Sequence, residues 1–151
     1  MSDVRAPLPR GAVIELQVDK AAAGGRMLAR HEGQVVLVAG AIPGERARVR
    51  IDRVGKGVAF GETIEVLAPS PDRRPAADAG CGGNAFAHVA YARQVALKAA
   101  IIHDAFARIG RVPLGAPPTV AASPETGYRM RARLHARGTR LGFYREGSHD
   151  L

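Results

Sequence analysis

One cysteine, Cys81, is all that the 151 residues contain, and tryptophan is missing altogether. A lone thiol excludes an intrachain disulfide, and with it a small disulfide-stapled secreted fold; a reducing, cytoplasmic setting is expected. Aromatic residues make up 5% of the chain, so Ala and Val must supply much of any core. No apolar run approaches the roughly 20 residues that a membrane helix requires. The opening Met-Ser-Asp-Val-Arg-Ala-Pro has no apolar signal core. The five histidines (His31, His88, His103, His135 and His149) are scattered, and none stands in a His-x-x-x-His pair. That spacing gives no zinc pattern, and no Ser/His/Asp arrangement is evident.

What the chain has is basic charge. Its formal net charge is +8, which favours a nucleic acid or an anionic membrane as partner. The excess is uneven: residues 1–70 carry 10 Lys/Arg against 8 Asp/Glu, and residues 71–151 carry 12 against 6. From Tyr128 through Arg145 there are six arginines and no acid. There Arg129, Arg131 and Arg133 alternate with Met130, Ala132 and Leu134. In an extended strand such alternation turns the apolar set inward and lines the other face with guanidinium groups, joined by Arg137. Arg46, Arg48 and Arg50 alternate in the same way with Ala47, Val49 and Ile51, and Arg53 and Lys56 extend that row. Like charges on one face repel, and an anionic polymer relieves the repulsion. Both rows are therefore candidate RNA contacts, and the alternative is a solvated strand face helped by Glu45 and Asp52.

The fold expected is mainly β. Residues 1–11 have two prolines and no periodicity and read as a flexible arm. Over 12–67 short alternating segments are punctuated by turns at Glu32-Gly33, Pro43-Gly44 and Gly55-Lys56-Gly57. Five short strands in this span suggest a small closed or nearly closed barrel of the oligonucleotide-binding (OB) type. Residues 68–84, with Pro69, Pro71 and Pro75 and then Gly80, Gly82 and Gly83, form a linker. Residues 85–109 read as a helix, with Tyr91, Val95, Ile102, Phe106 and Ile109 at helical spacing and Gly110 as its stop. A hairpin is expected over 128–145, turning at Gly138-Thr139. One helix and one hairpin make a poor core, so 85–151 read as part of an incomplete α+β domain.

Other motifs carry less. Gly55-Lys56-Gly57 with Gly61 lacks the full phosphate-loop pattern and the helix that should follow, and reads as a turn. Cys81 in its Gly-rich segment has only His88 nearby, too few ligands for zinc or an iron–sulfur cluster. Tyr91 is expected in packing. Phe143 and Tyr144 point to opposite hairpin faces, so at most one lies beside the arginines.

Taken together, Arg26-Met-Leu-Ala-Arg30, His31-Glu-Gly-Gln-Val-Val-Leu-Val-Ala-Gly40, Ile42-Pro-Gly-Glu45, Cys81-Gly-Gly83 with Tyr91-Ala-Arg-Gln94 and Lys98, Tyr128-Arg-Met-Arg-Ala-Arg-Leu134, Leu141-Gly-Phe-Tyr144 and Ser148-His149 resemble bacterial RNA (uracil-5-)-methyltransferases that use S-adenosylmethionine. The resemblance implies that 12–67 are a TRAM domain, an RNA-binding barrel. It also implies that 68–84 include a degenerate iron–sulfur loop and that 85–151 begin the family's central domain. Many members hold a cluster on cysteines, two of which would fall here at Pro75 and Asn84; the cluster is expected to be absent and Cys81 to be a remnant. The cofactor site, nucleophilic Cys and general base of the family lie C-terminal to the matched region. The expectation is therefore an RNA-binding, non-catalytic part of a parent methyltransferase, with ribosomal RNA favoured over transfer RNA. S-adenosylmethionine would be bound by the parent and not by this stretch. The alternative is a stand-alone TRAM/OB-type RNA-binding protein without enzymatic activity.

Overall fold

The computed structural model describes residues 8–76, 80–145 and 148–151. Two compact units divide the chain, residues 1–73 and 74–151. In the first unit five strands, β1 (Val13–Ala21), β2 (Met27–His31), β3 (Gln34–Ala39), β4 (Arg46–Gly55) and β5 (Val58–Ala68), close into a barrel in the order β1-β2-β3-β5-β4. All neighbours are antiparallel except β3 and β5. Period-two alternation sorts the side chains. Leu16, Val18, Met27, Ala29, Val36, Val38, Ala47, Val49, Ile51 and Ala59 fill the interior. The small residues expected from composition do supply this core, with Met27 among its largest fully buried side chains.

Two glycines have positions that only glycine fits well. The β2–β3 turn has positive φ at both central residues, 49° at Glu32 and 87° at Gly33. That combination matches the right-handed twist of the flanking strands. Gly61 is different: a Cβ there would stand 2.7 Å from the Arg50 carbonyl oxygen and 2.5 Å from Val49 Cγ1. Its missing side chain lets β4 and β5 approach. The ladder between these strands is irregular, with one residue skipped between Ile51 and Arg53. Such a bulge breaks the strand's alternation, and it carries both Asp52 and Arg53 away from the core.

The second unit holds α1 (Tyr91–Arg108) and a short hairpin, β6 (His135–Arg137) with β7 (Arg140–Gly142). The helix begins six residues later than the expected start at Ala85. Residues before it make turns instead, with Ala87 N–H donating to Asn84 O and Val89 N–H to Phe86 O. Gln94 then donates its amide to the Phe86 and Val89 carbonyls, holding this turn against the first helical residues. At the other end the left-handed residue is Arg111 (φ 55°) and not Gly110.

The hairpin is also shorter than expected. Residues 129–134 form no strand, Met130 is 97% exposed, and Leu134 is exposed too. Alternation sorts residues only where one face has something to pack on, and no apolar layer covers these. The stripe on α1 is likewise largely open: Leu97 is buried, while Ile102, Phe106 and Ile109 are exposed.

Candidate nucleic-acid interface

The outer face of β4 begins from an anchored turn. Glu45 precedes the strand and is fully buried. Its carboxylate accepts hydrogen bonds from the Ile42 N–H (2.8 Å), the Ser70 N–H (3.0 Å), and Arg73 Nε and Nη2 (2.7 and 2.6 Å). Arg73 Nη2 also donates to Gly40 O at 2.8 Å. Burial alone would push this carboxyl up; Arg73 and the two backbone donors outweigh it and hold the group below the ordinary carboxylate value. The Ile42-Pro-Gly-Glu45 segment thus ties the start of β4 to the chain leaving β5.

Arg46, Arg48 and Arg50 do share the outer face of β4, with Ala47, Val49 and Ile51 inside. An uninterrupted row of available guanidinium groups is not what results. The register sets Arg48 between Glu15 of β1 and Glu65 of β5. Arg48 pairs with both, at 2.9 Å to Glu15 and in a short contact to Glu65, and these carboxylates raise its pKa further. Arg50 pairs with Glu62 (3.2 Å) and Asp52 (3.6 Å). Arg46 lies opposite Gln17 and Ala68, neither of which is charged. Arg48 and Arg50 are thus cross-strand ion pairs, and Arg46 is the member of the ladder left facing neutral neighbours.

Farther along the same hairpin the surface changes character. Arg53 stands opposite Phe60, and its guanidinium lies over the ring, 3.9 Å from the centroid. Arg26 approaches the same ring at 5.9 Å and donates to Gly61 O at 3.0 Å. The register continues the row through Leu37 of β3 to Leu28 of β2, both only partly buried. Among the described residues neither Arg53 nor Arg26 meets a carboxylate. Phe60 went unremarked in the sequence; the signal for it was an aromatic between inward-facing Ala59 and Gly61. Lys56 sits in the exposed β4–β5 turn.

In the second unit Arg129, Arg131 and Arg133 are exposed coil, and the alternation does not align them. Arg137 lies on β6, 3.9 Å from Asp150. Arg129 approaches the Tyr128 ring at 5.8 Å, and both border a cleft of about 600 Å³ with Arg74, Gln94, Lys98 and Glu125. Arg74 pairs with Glu125 at 3.0 Å. Tyr91, expected in packing, instead bonds through its hydroxyl to the Ser123 N–H (2.8 Å), fixing the segment after the helix. Tyr144 stacks on His135, ring centres 3.8 Å apart, and Phe143 is exposed.

Cys81 is a free thiol, bridged through its backbone to Arg145. Iron–sulfur clusters are held by several thiolates, and this chain offers one. The donor set does not fit. Among the described residues no group of three or more His, Cys, Asp or Glu side chains could hold a metal ion, and no helix is long and apolar enough to cross a membrane.

A closed five-stranded barrel with this strand order, followed by a sparse helical unit, defines an OB-like module. Residues 7–64 match the TRAM domain family, and over most of its length the chain is similar to proteins named RNA methyltransferases. It is 40% identical over 152 residues to an uncharacterized RNA methyltransferase of Thermosynechococcus vestitus, covering 94% of this chain and 33% of that protein. It is 38% identical over 136 residues to the 23S rRNA (uracil(1939)-C(5))-methyltransferase RlmD of Methylococcus capsulatus, covering 88% and 30%. An uncharacterized RNA methyltransferase of Halalkalibacterium halodurans is 30% identical over 159 residues, covering 100% and 35%. The chain spans about a third of the length of these curated relatives. Among solved structures, the solution structure of a conserved protein from Methanococcus maripaludis is similar over 42% of this chain and 91% of its own, at 28% identity and a TM-score of 0.38.

Proposed function

We propose that these residues are the RNA-engaging part of an S-adenosylmethionine-dependent RNA methyltransferase that modifies carbon-5 of uridine. The observation that carries this reading is the TRAM barrel within a chain whose relatives, over nearly its whole length, are named RNA methyltransferases. Ribosomal RNA is the favoured substrate, since the relatives of Methylococcus capsulatus and Bordetella pertussis are named 23S rRNA (uracil(1939)-C(5))-methyltransferases. The role of this chain is positioning. Phosphate contacts from Arg46, Lys56, Arg129, Arg131, Arg133 and Arg137 set register on the RNA without reading sequence. Arg48 and Arg50 contribute less, because carboxylates already hold them. The methyl donor, the nucleophilic Cys that adds to the uracil ring and the base that removes the carbon-5 proton belong to sequence outside these 151 residues, and Cys81 has no part in them.

The test is a titration of a structured ribosomal RNA fragment at several salt concentrations. Affinity should fall linearly on logarithmic axes, with a slope of about 0.7–0.9 per phosphate neutralised. Binding without salt dependence, or none at low salt, overturns the reading. A second reading, a stand-alone TRAM/OB-type RNA-binding protein, is favoured by the barrel having a core of its own. The coding sequence beyond Leu151 separates the two: a strand followed by a Gly-rich cofactor loop supports the enzyme, and a stop codon supports the alternative.

A further inference from the structure

The outer row of the barrel differs in kind from the paired β4 ladder. It joins an aromatic ring, two aliphatic side chains and two arginines that meet no carboxylate among the described residues. Arg53 lies over Phe60 with its guanidinium carbon 3.9 Å from the ring centre, and its side chain is exposed. A guanidinium held against a ring presents its opposite face to solvent as a planar, cationic surface. Nucleobases stack on such planes, and every base has a π face to offer. Arg26 also approaches the same ring, 5.9 Å from its centre, and is held by its bond to Gly61 O. One of its five N–H donors is used there, so others remain for a phosphate oxygen.

We propose that the Arg53–Phe60 stack is a seat for one unpaired base of single-stranded RNA, with Arg26 binding the phosphate beside it. Arg53 contacts the base directly, and Phe60 is a positioning residue that keeps the guanidinium flat. The bulge after Ile51 is what makes the seat, because it delivers Arg53 to the outer face opposite Phe60. This assignment rests on the RNA-binding reading above but adds a distinct demand: the protein must recognise bases as well as charge. A double-stranded segment, with its bases stacked inside, would not satisfy it.

The experiment uses the full 151-residue chain and two fluorescent probes of equal length and charge, an oligouridylate and its abasic counterpart. Wild type should prefer the oligouridylate. Arg53→Lys keeps the charge and loses the plane, and should reduce oligouridylate affinity roughly tenfold, the scale of losing one stacked base. It should leave abasic affinity and the salt slope unchanged. Phe60→Leu should lose several-fold in the same selective way, and Phe60→Trp should restore binding; thermal melts identify any variant that fails to fold, and Arg53→Lys, at an exposed position, then decides. Equal wild-type affinity for both probes overturns the seat, as does an Arg53→Lys variant that binds oligouridylate like wild type. If wild type binds structured ribosomal RNA with a salt slope yet ignores oligouridylate, the seat falls and the RNA-binding reading stands. If it binds no RNA at all, both fall.

Discussion

At the scale of single residues the barrel depends on Glu45 and Gly61, whose roles in the core are set by partners distant in sequence. Glu45 is a buried charge made tolerable by Arg73 and two backbone donors. Removing Arg73 leaves the carboxylate in place without its countercharge, which in buried pairs costs about 3 kcal/mol or more. Arg73→Ala should therefore lower stability by about 3 kcal/mol at neutral pH, read by urea unfolding. The pH dependence has a definite sign. Glu45 has a folded-state pKa below its unfolded one, so its contribution is complete above the ordinary carboxylate range and lost as pH falls through the lower folded value. In Arg73→Ala, burial pushes that pKa back up. The gap between wild type and variant should narrow on acidification; a constant gap would show that the pair does not act through charge. Gly61→Ala places a Cβ against backbone and a branched side chain that cannot step aside, so a loss of about 2 kcal/mol is expected. An unchanged melting temperature would mean that β4 and β5 can separate at no cost.

At the scale of elements, local signals made the five barrel strands legible: period-two alternation in β1 and β4, and turn residues at Glu32-Gly33 and Gly55-Lys56-Gly57 bounding β2, β3 and β5. Their cross-strand partners were not legible. Arg48 is neutralised by Glu15 and Glu65, 33 and 17 residues away, and only the register brings them together. The bulge after Ile51 was equally hidden, since one skipped residue leaves no mark in composition. The opposite error occurred at 129–134, where perfect alternation did not make a strand because no apolar layer lies beneath it. The β4 pairing makes a prediction of its own. If this face touches RNA, Glu15→Gln with Glu65→Gln releases Arg48, and affinity should rise for all sequences alike with a steeper salt slope. Asp19→Asn with Glu32→Gln changes net charge equally, at positions that no strand pairing sets opposite β4, and serves as the control. Equal gains from the two double variants would assign the effect to overall charge and remove the β4 face from the interface.

At the scale of the whole molecule the two units divide the work unevenly. The first has a closed sheet and a filled interior. The second buries little beyond His88, Val89 and Leu97, yet it carries most of the net positive charge, 11 Lys/Arg against 5 Asp/Glu over residues 74–151. Stability and affinity should therefore separate on mutation. Arg129, Arg131 and Arg133 are exposed and pack on no core, so changing all three to Ala should leave the melting temperature where it was. If they grip phosphates, the same change should weaken binding to unrelated RNAs by a common factor. It should also flatten the salt dependence by up to about 0.7–0.9 in slope for each phosphate no longer neutralised. Paired melting curves and salt titrations on two RNAs of different sequence measure both. A loss confined to one RNA would show base reading where backbone contact is proposed. A fall in melting temperature would show that 129–134 pack against the rest of their unit, contrary to their exposure.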